Sequence, residues 1–186
     1  MKVKLLKTIS TIFTAIVVIL SCVLIAKNIF LFEILVVGDS MHSTLVDGEM
    51  GFATKENFII NIDREDIIIF EKEDKEIIKR VIGKPLDHVR ITKDGVYIND
   101  KLLNESYVSS ENLDCTFLIN SEYNDVVLGE NEYYVLGDNR SVSYDSRYYG
   151  PISRDKITGK LQVITSSGSS GEDYLFNRKI VPFRFY

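Results

Sequence analysis

From Thr8 to Ala26 the chain reads TISTIFTAIVVILSCVLIA, nineteen residues without a charge, and this run constrains the fold more than any other feature. A helix of about 20 apolar residues crosses the hydrocarbon core of a bilayer, so the run predicts one transmembrane anchor over residues 8–26. Lys2, Lys4 and Lys7 precede it and a domain of mixed charge follows, which orients residues 1–7 to the cytoplasm and residues 27–186 to the outside. A cleavable leader would have an apolar region of about 7 to 15 residues and a small-x-small exit. Here Lys27 is followed by IFLFEILVV, so an uncleaved anchor is the preferred reading. Ile19-Leu20-Ser21-Cys22 faintly suggests a lipoprotein processing site, yet Val23 to Ala26 continue the apolar run where a polar exit belongs.

Past the anchor the pattern changes to short apolar and β-branched runs broken by turn residues: Phe32–Val37, Ile67–Phe70, Ile77–Ile82, Val89–Thr92, Val96–Ile98, Tyr133–Leu136 and Lys160–Ile164. No long stretch has a 3.6-residue period, so the domain reads as mainly β, a folded-sheet or barrel-like architecture. Asp94-Gly95 and Asn99-Asp100 predict consecutive tight hairpins. Residues 104–131 are polar and weakly patterned and read as an insertion or excursion from the sheet. The SSGSSG stretch at 166–171 reads as a flexible loop, and Arg178–Tyr186 reads as a last edge strand held by Pro182, with lipid headgroups as the alternative contact.

A net charge of −5, with no Lys/Arg patch interleaved with aromatics, predicts that nucleic acid is not a partner. Cys22 falls inside the apolar run and Cys115 far along the polar domain, so no disulfide is expected. His42 and His88 have no zinc-spaced partners, so no metal is predicted.

Three stretches put reactive groups in an apolar strand context. In VVGDSMHSTL, Gly38 permits a tight approach and Ser40 follows a buried-looking strand; taken alone, such a serine reads as a turn residue. In IIKRVIG, Lys79 and Arg80 interrupt an apolar strand, and alternation directs one of them inward. Desolvating a lysine from a pKa of about 10.4 to near 8 costs on the order of 3 kcal/mol, which a functional role would sustain. The third stretch, Gly137 to Gly150 (GDNRSVSYDSRYYG), is dense in acids, arginines and serines and reads as an internally hydrogen-bonded, salt-bridged loop in which Asp138, Asp145 and Arg147 brace a site.

In this order the three stretches resemble the bacterial type I signal peptidases, the Ser–Lys enzymes that release exported proteins from their signal peptides. The family pattern G-x-S-M-x-P-T-L, D-I-V-x-F, K-R-V-x-G and G-D-N-R-x-x-S-x-D-S-R-x-x-G is met by Gly38–Leu45, Asp66–Phe70, Lys79–Gly83 and Gly137–Gly150. The resemblance implies attack by Ser40, proton abstraction by Lys79 and orientation of the lysine by Ser143, with Asp138, Asp145 and Arg147 in supporting places and Gly38, Asp39 and Met41 at the substrate cleft. It implies acyl transfer by Ser40 and Lys79, which needs no cofactor, and a substrate with small residues at the first and third positions before the cut. Its partners would be signal peptides of secreted preproteins, the lipid bilayer and the protein export machinery. Where some relatives have a serine as second oxyanion donor this chain has Gly38, leaving the Ser40 amide a larger share. Ser43 stands where the family has proline. Lysine at position 79 points to the bacterial type, and His42 is too close to Ser40 in sequence to act as its base.

Two rival readings are a self-cleaving repressor-type peptidase, which would be cytoplasmic and bind DNA, and a catalytically silent membrane-anchored β-domain. The anchor and acidic charge oppose the first; the presence of both Ser40 and Lys79 opposes the second. Fourteen residues separate Ala26 from Ser40, a reach of at most about 48 Å, so the nucleophile is expected near the membrane surface.

Overall fold

A computed structural model describes residues 2–109, 121–166 and 184–185. The chain divides into two units, Met1–Phe32 and Glu33–Tyr186. The first is a helix, α1 (Lys2–Phe30), that runs four residues past the uncharged sequence run. Its stretch Leu6–Phe30, 25 residues, is long and apolar enough to cross a membrane and none of it is buried. The hydroxyls of Thr8, Thr11, Thr14 and Ser21 each donate to the carbonyl four residues back. That satisfies each hydroxyl donor inside the helix, which is what lets a polar side chain sit in hydrocarbon.

The second unit is mainly β, built on two sheets. The larger runs in the order β1 (Leu31–Leu35), β2 (Met50–Lys55), β11 (Ile157–Ser166), β3 (Ile67–Lys72), β4 (Lys75–Gly83), β9 (Glu132–Leu136) and β10 (Ile152–Ser153), with β12 (Arg184–Phe185) also pairing β11. The smaller runs β7 (Lys101–Leu102), β6 (Gly95–Ile98), β5 (His88–Thr92), β8 (Asp125–Val127). A four-residue helix, α2 (Ser146–Tyr149), follows β9.

Every strand foreseen in the sequence is present, with ends shifted by a few residues. The excursion at 104–131 is in part ordered sheet, because β8 pairs with β5 through Val89 and Val126. Residues 110–120, with Cys115, and 167–171 lie outside the described residues; of Arg178–Tyr186 only β12 lies within them, and its pairing fits the edge-strand reading. Asn99-Asp100 is a two-residue hairpin turn with both residues at positive φ. The preceding turn is Lys93-Asp94, one residue earlier than expected, because Gly95 pairs with Thr92 as a strand residue.

The two sheets explain why β4 and β9 read as continuous apolar runs. Ile82, Tyr134 and Leu136 pack with Val89, Ile91, Val96 and Ile98 of the small sheet. Their neighbours Val81, Tyr133 and Val135 pack the other way, with Ile68, Phe70 and Ile157. A strand covered on both faces has no solvent side. Alternation at Lys79 and Arg80 therefore buries both cations, at 4% and 6% exposure, where the sequence reading turned one of them inward.

Candidate active site

Ser40 sits in the turn that leaves β1. Val36 is hydrogen-bonded through its amide to Glu49, the His42 amide returns to the Asp39 carbonyl across the serine, and the amides of Thr44 and Leu45 return to the Met41 carbonyl just after it. Gly38 has φ +85° with open space where a Cβ would stand, so glycine is needed there for its backbone conformation and not for room. Met41, at 2% exposure, is packed in the core. It does not line the cleft, whereas Gly38 and Asp39 do. That cleft is open, about 600 Å³, and its other walls are Val37, Ser40, His42, Asn139 and Val142.

Lys79 reaches Ser40 from the middle of β4. Its Nζ lies 2.7 Å from Ser40 Oγ and donates to its neighbour's carbonyl, Ile78 O, at 2.9 Å. Burial lowers the lysine pKa from 10.5 to about 8, opposed by the negative charges of Asp145 and Asp138. Among the described residues no carboxylate is hydrogen-bonded to the amine, so desolvation prevails and a minor neutral fraction is present at neutral pH and grows as pH rises through about 8. A neutral amine at that distance can take the hydroxyl proton.

The loop after β9 supports the pair from the other side. Asp138, fully buried, receives two hydrogen bonds from Arg80, at 2.8 Å from Nε and 2.6 Å from Nη2. Arg80 also donates to Glu65 O and to Thr44 Oγ1, in the Ser40 turn. Asp145 caps α2 and accepts from Arg147 and from the amide of Gly137 at 3.0 Å. Arg147 in turn donates to the carbonyls of Arg140 and Ser143. The Asn139 amide donates to Ser40 O at 3.0 Å, tying this loop to the Ser40 turn. Gly137 is the tight point: a Cβ there would collide with the Ser40 carbonyl and with Ser143.

Ser143 is buried in this packing, and its Oγ has no hydrogen-bond partner among the described residues, Lys79 included. Arg140, Glu105, Tyr107 and Thr44 belong to the site although sequence reasoning did not single them out, and so does Arg80, which the sequence marked only as one of two cations of which one turns inward. Two of them had a signal: Arg80 and Arg140 are cations beside Lys79 and Asn139 in otherwise conspicuous stretches. Among the described residues no group of three or more His, Cys, Asp or Glu is placed to hold a metal ion.

A hydroxyl in contact with a desolvated amine at the floor of an open cleft, on a mainly β unit preceded by an apolar helix, is the arrangement of a membrane-anchored serine peptidase. Residues 5–166 match the family described as signal peptidase, peptidase S26. The chain is 41% identical over 138 residues to signal peptidase I T of Bacillus subtilis, covering 70% of this chain and 72% of that one. It is 37% identical over 153 residues to signal peptidase I of Bacillus amyloliquefaciens, covering 78% and 79%. A solved signal peptidase I from Enterococcus faecalis is 33% identical, with a TM-score of 0.45 over 53% of this chain and 95% of that one. The chain belongs to the signal peptidase family, peptidase S26.

Proposed function

We propose that this protein is a membrane-bound serine endopeptidase that removes N-terminal signal peptides from exported preproteins, with Ser40 as nucleophile and Lys79 as general base. The observation that carries the assignment is the 2.7 Å contact between Lys79 Nζ and Ser40 Oγ, made by a lysine whose pKa is lowered to about 8. In the first step Lys79 takes the Ser40 proton as Oγ attacks the scissile carbonyl. The resulting ammonium then gives its proton to the leaving amine, and an ester to Ser40 remains. Lys79, neutral again, takes a proton from water as that water attacks the ester carbonyl, and the ammonium then returns the proton to Ser40 Oγ as it leaves, which frees the new carboxyl terminus and restores the enzyme. The Ser40 amide is the oxyanion donor, a contribution worth roughly 3 kcal/mol.

Ser143 has the role of orienting the lysine ammonium. A buried hydroxyl without a partner is costly, which suits a group that takes up its hydrogen bond during the reaction. Asp138, Asp145 and Arg147 position the two turns. The substrate adds as an extended strand beside β1, the terminal strand of the large sheet among the described residues, which leads into the Ser40 turn. Val37 and Val142, both exposed in the cleft wall, offer apolar contact to small aliphatic side chains before the cut.

The domain organisation that goes with this function has residues 1–7 in the cytoplasm, the anchor over 8–26 and the catalytic domain, 27–186, outside, where preproteins emerge from the protein export machinery. Protease added to intact spheroplasts should digest the catalytic domain; full protection would reverse the orientation. For the chemistry, detergent-solubilised wild type, Ser40→Ala and Lys79→Ala are incubated with a preprotein and with a copy whose small residues before the cut are replaced. Mass spectrometry should find one cleavage after the small residue, by wild type alone and in the unaltered preprotein alone. Lys79→Ala cutting as fast as wild type would end the Ser–Lys mechanism.

A further inference from the structure

The segment from Leu103 to Val108 runs between the small sheet and the two catalytic turns. It leaves the small sheet with the Leu103 amide on Val96 O, and closes on itself with the Val108 amide on Glu105 O. Between those points Glu105 and Tyr107 touch both turns. The Glu105 carboxylate takes two hydrogen bonds from the Arg140 guanidinium, and the side chains are 6% and 0% exposed. It also accepts from the Tyr107 hydroxyl at 3.0 Å. The Tyr107 ring lies 4.2 Å from the Arg80 guanidinium, and the Tyr107 carbonyl accepts from Ser43 Oγ at 2.9 Å.

Each of these contacts ends on the catalytic pair at one remove. Arg140 Nε donates to Gly137 O at 2.9 Å, and Gly137 abuts the Ser40 carbonyl. Arg80 adjoins Lys79 and holds both Asp138 and Thr44. Ser43 is three residues from Ser40.

We infer that Glu105 and Tyr107 form a strap that fixes the Ser40 turn against the Gly137–Arg140 loop, and that Glu105 is a positioning residue for the peptidase reaction. This rests on Ser40 being the nucleophile. Glu105 touches neither reacting atom; it acts through Arg140, whose fork matches a carboxylate and a carbonyl at once. A displacement of about 1 Å at the nucleophile is enough to slow acyl transfer strongly while leaving substrate contacts in the cleft walls intact. The strap therefore affects kcat and leaves KM nearly unchanged.

The test uses full-length protein in detergent micelles and a synthetic peptide with alanine at the first and third positions before the cut. Glu105→Gln, Arg140→Lys, the double variant and Tyr107→Phe are assayed at least 15 °C below their own unfolding midpoints, with Ser40→Ala as baseline. Glu105→Gln and Arg140→Lys should each lower kcat about tenfold with KM within twofold of wild type. The double variant should lose no more than the worse single one, since both break the same link. Tyr107→Phe should lose about threefold. Wild-type kcat in folded Glu105→Gln, even with a lowered unfolding midpoint, would make the strap a stability element only and overturn the proposal. Should Glu105→Gln fail to fold, Arg140→Lys and Tyr107→Phe decide in the same terms: lowered kcat supports the strap, wild-type kcat in both overturns it. Full activity in Ser40→Ala would instead overturn the functional assignment beneath it.

Discussion

The two turns that meet at Ser40 are built by opposite means. The nucleophile turn, Val36 to Leu45, exposes Val37, Gly38, Asp39, His42 and Ser43, and two of its residues have positive φ, Gly38 at 85° and Ser43 at 87°. The facing loop buries Asp138, Arg140, Ser143, Asp145, Ser146 and Arg147, and its charges are paired within hydrogen-bond distance. The comparison shows where the precision of the site resides. The segment that reacts is exposed and strained and borrows its position; the segment facing it buries its charges and pairs them, and of its buried serines Ser146 is hydrogen-bonded while Ser143 Oγ is not. An open cleft requires the first arrangement, because the substrate must reach Oγ. Only the second can supply rigidity.

Breaking the stiff side should produce the largest effect. Asp145→Ala removes the acceptor for Arg147 Nε and Nη2, the cap of α2 and the partner of the Gly137 amide in one change. An unpaired cation is then left at 1% exposure. Losing one member of a buried pair typically costs about 3 to 5 kcal/mol. Urea unfolding followed by circular dichroism should show a loss of that size, or no cooperative transition at 37 °C. A loss under about 1 kcal/mol would mean that the loop is braced by packing and not by its charges.

Lys79 provides a second, smaller effect of opposite sign. Its pKa falls from 10.5 in the unfolded chain to about 8 in the folded one, so between these values the unfolded chain binds more protons and stability rises with pH. Below about pH 8 both states are protonated and the full penalty, on the order of 3 kcal/mol, is present. Lys79→Met should thus be more stable than wild type at pH 7, and its advantage should shrink as pH rises from about 8 towards 10.5. The same titration governs activity with the sign the mechanism requires: wild-type kcat/KM should climb tenfold per pH unit below about 8 and level off above it. A stability gain independent of pH would place its origin in packing.

Much of this was legible in the chain and some of it could not be. Short apolar and β-branched runs and the turn residues between them announced the strands, because a strand buried on one or both faces concentrates branched side chains. β2 escaped, since MGFATK carries glycine, alanine and lysine where branched residues would be expected, and is held by pairing with β11. Ser40, Lys79 and the acid-rich loop stood out because polar groups in an apolar context need a reason. Their pairings did not stand out. Asp138 pairs with Arg80 and Arg140 with Glu105, links of 58 and 35 residues that only the fold brings together. That Lys79 and Arg80 are both buried follows from the small sheet covering one face of β4, a tertiary fact without a local signature.

Ser43 yields the finest test of the comparison, because it occupies the place where the family pattern has proline and holds a backbone angle that proline cannot adopt. Proline fixes φ near −65°, whereas Ser43 is at 87°. Ser43→Pro therefore has to rebuild the turn and give up the hydroxyl bond to Tyr107 O, for a loss of about 2 kcal/mol. Ser43→Gly relieves the strained φ and forfeits only that exposed bond, so the two effects offset and stability should stay within about 1 kcal/mol of wild type. Thermal unfolding of the pair separates two accounts of the turn. A stable Ser43→Pro protein with full activity would mean that the turn relaxes to a negative-φ path without disturbing Ser40, and the strained side of the comparison would lose its meaning. The ordering Gly near wild type and Pro well below it would show that this chain holds its nucleophile turn by contact with the strap, having given up the rigidity of proline.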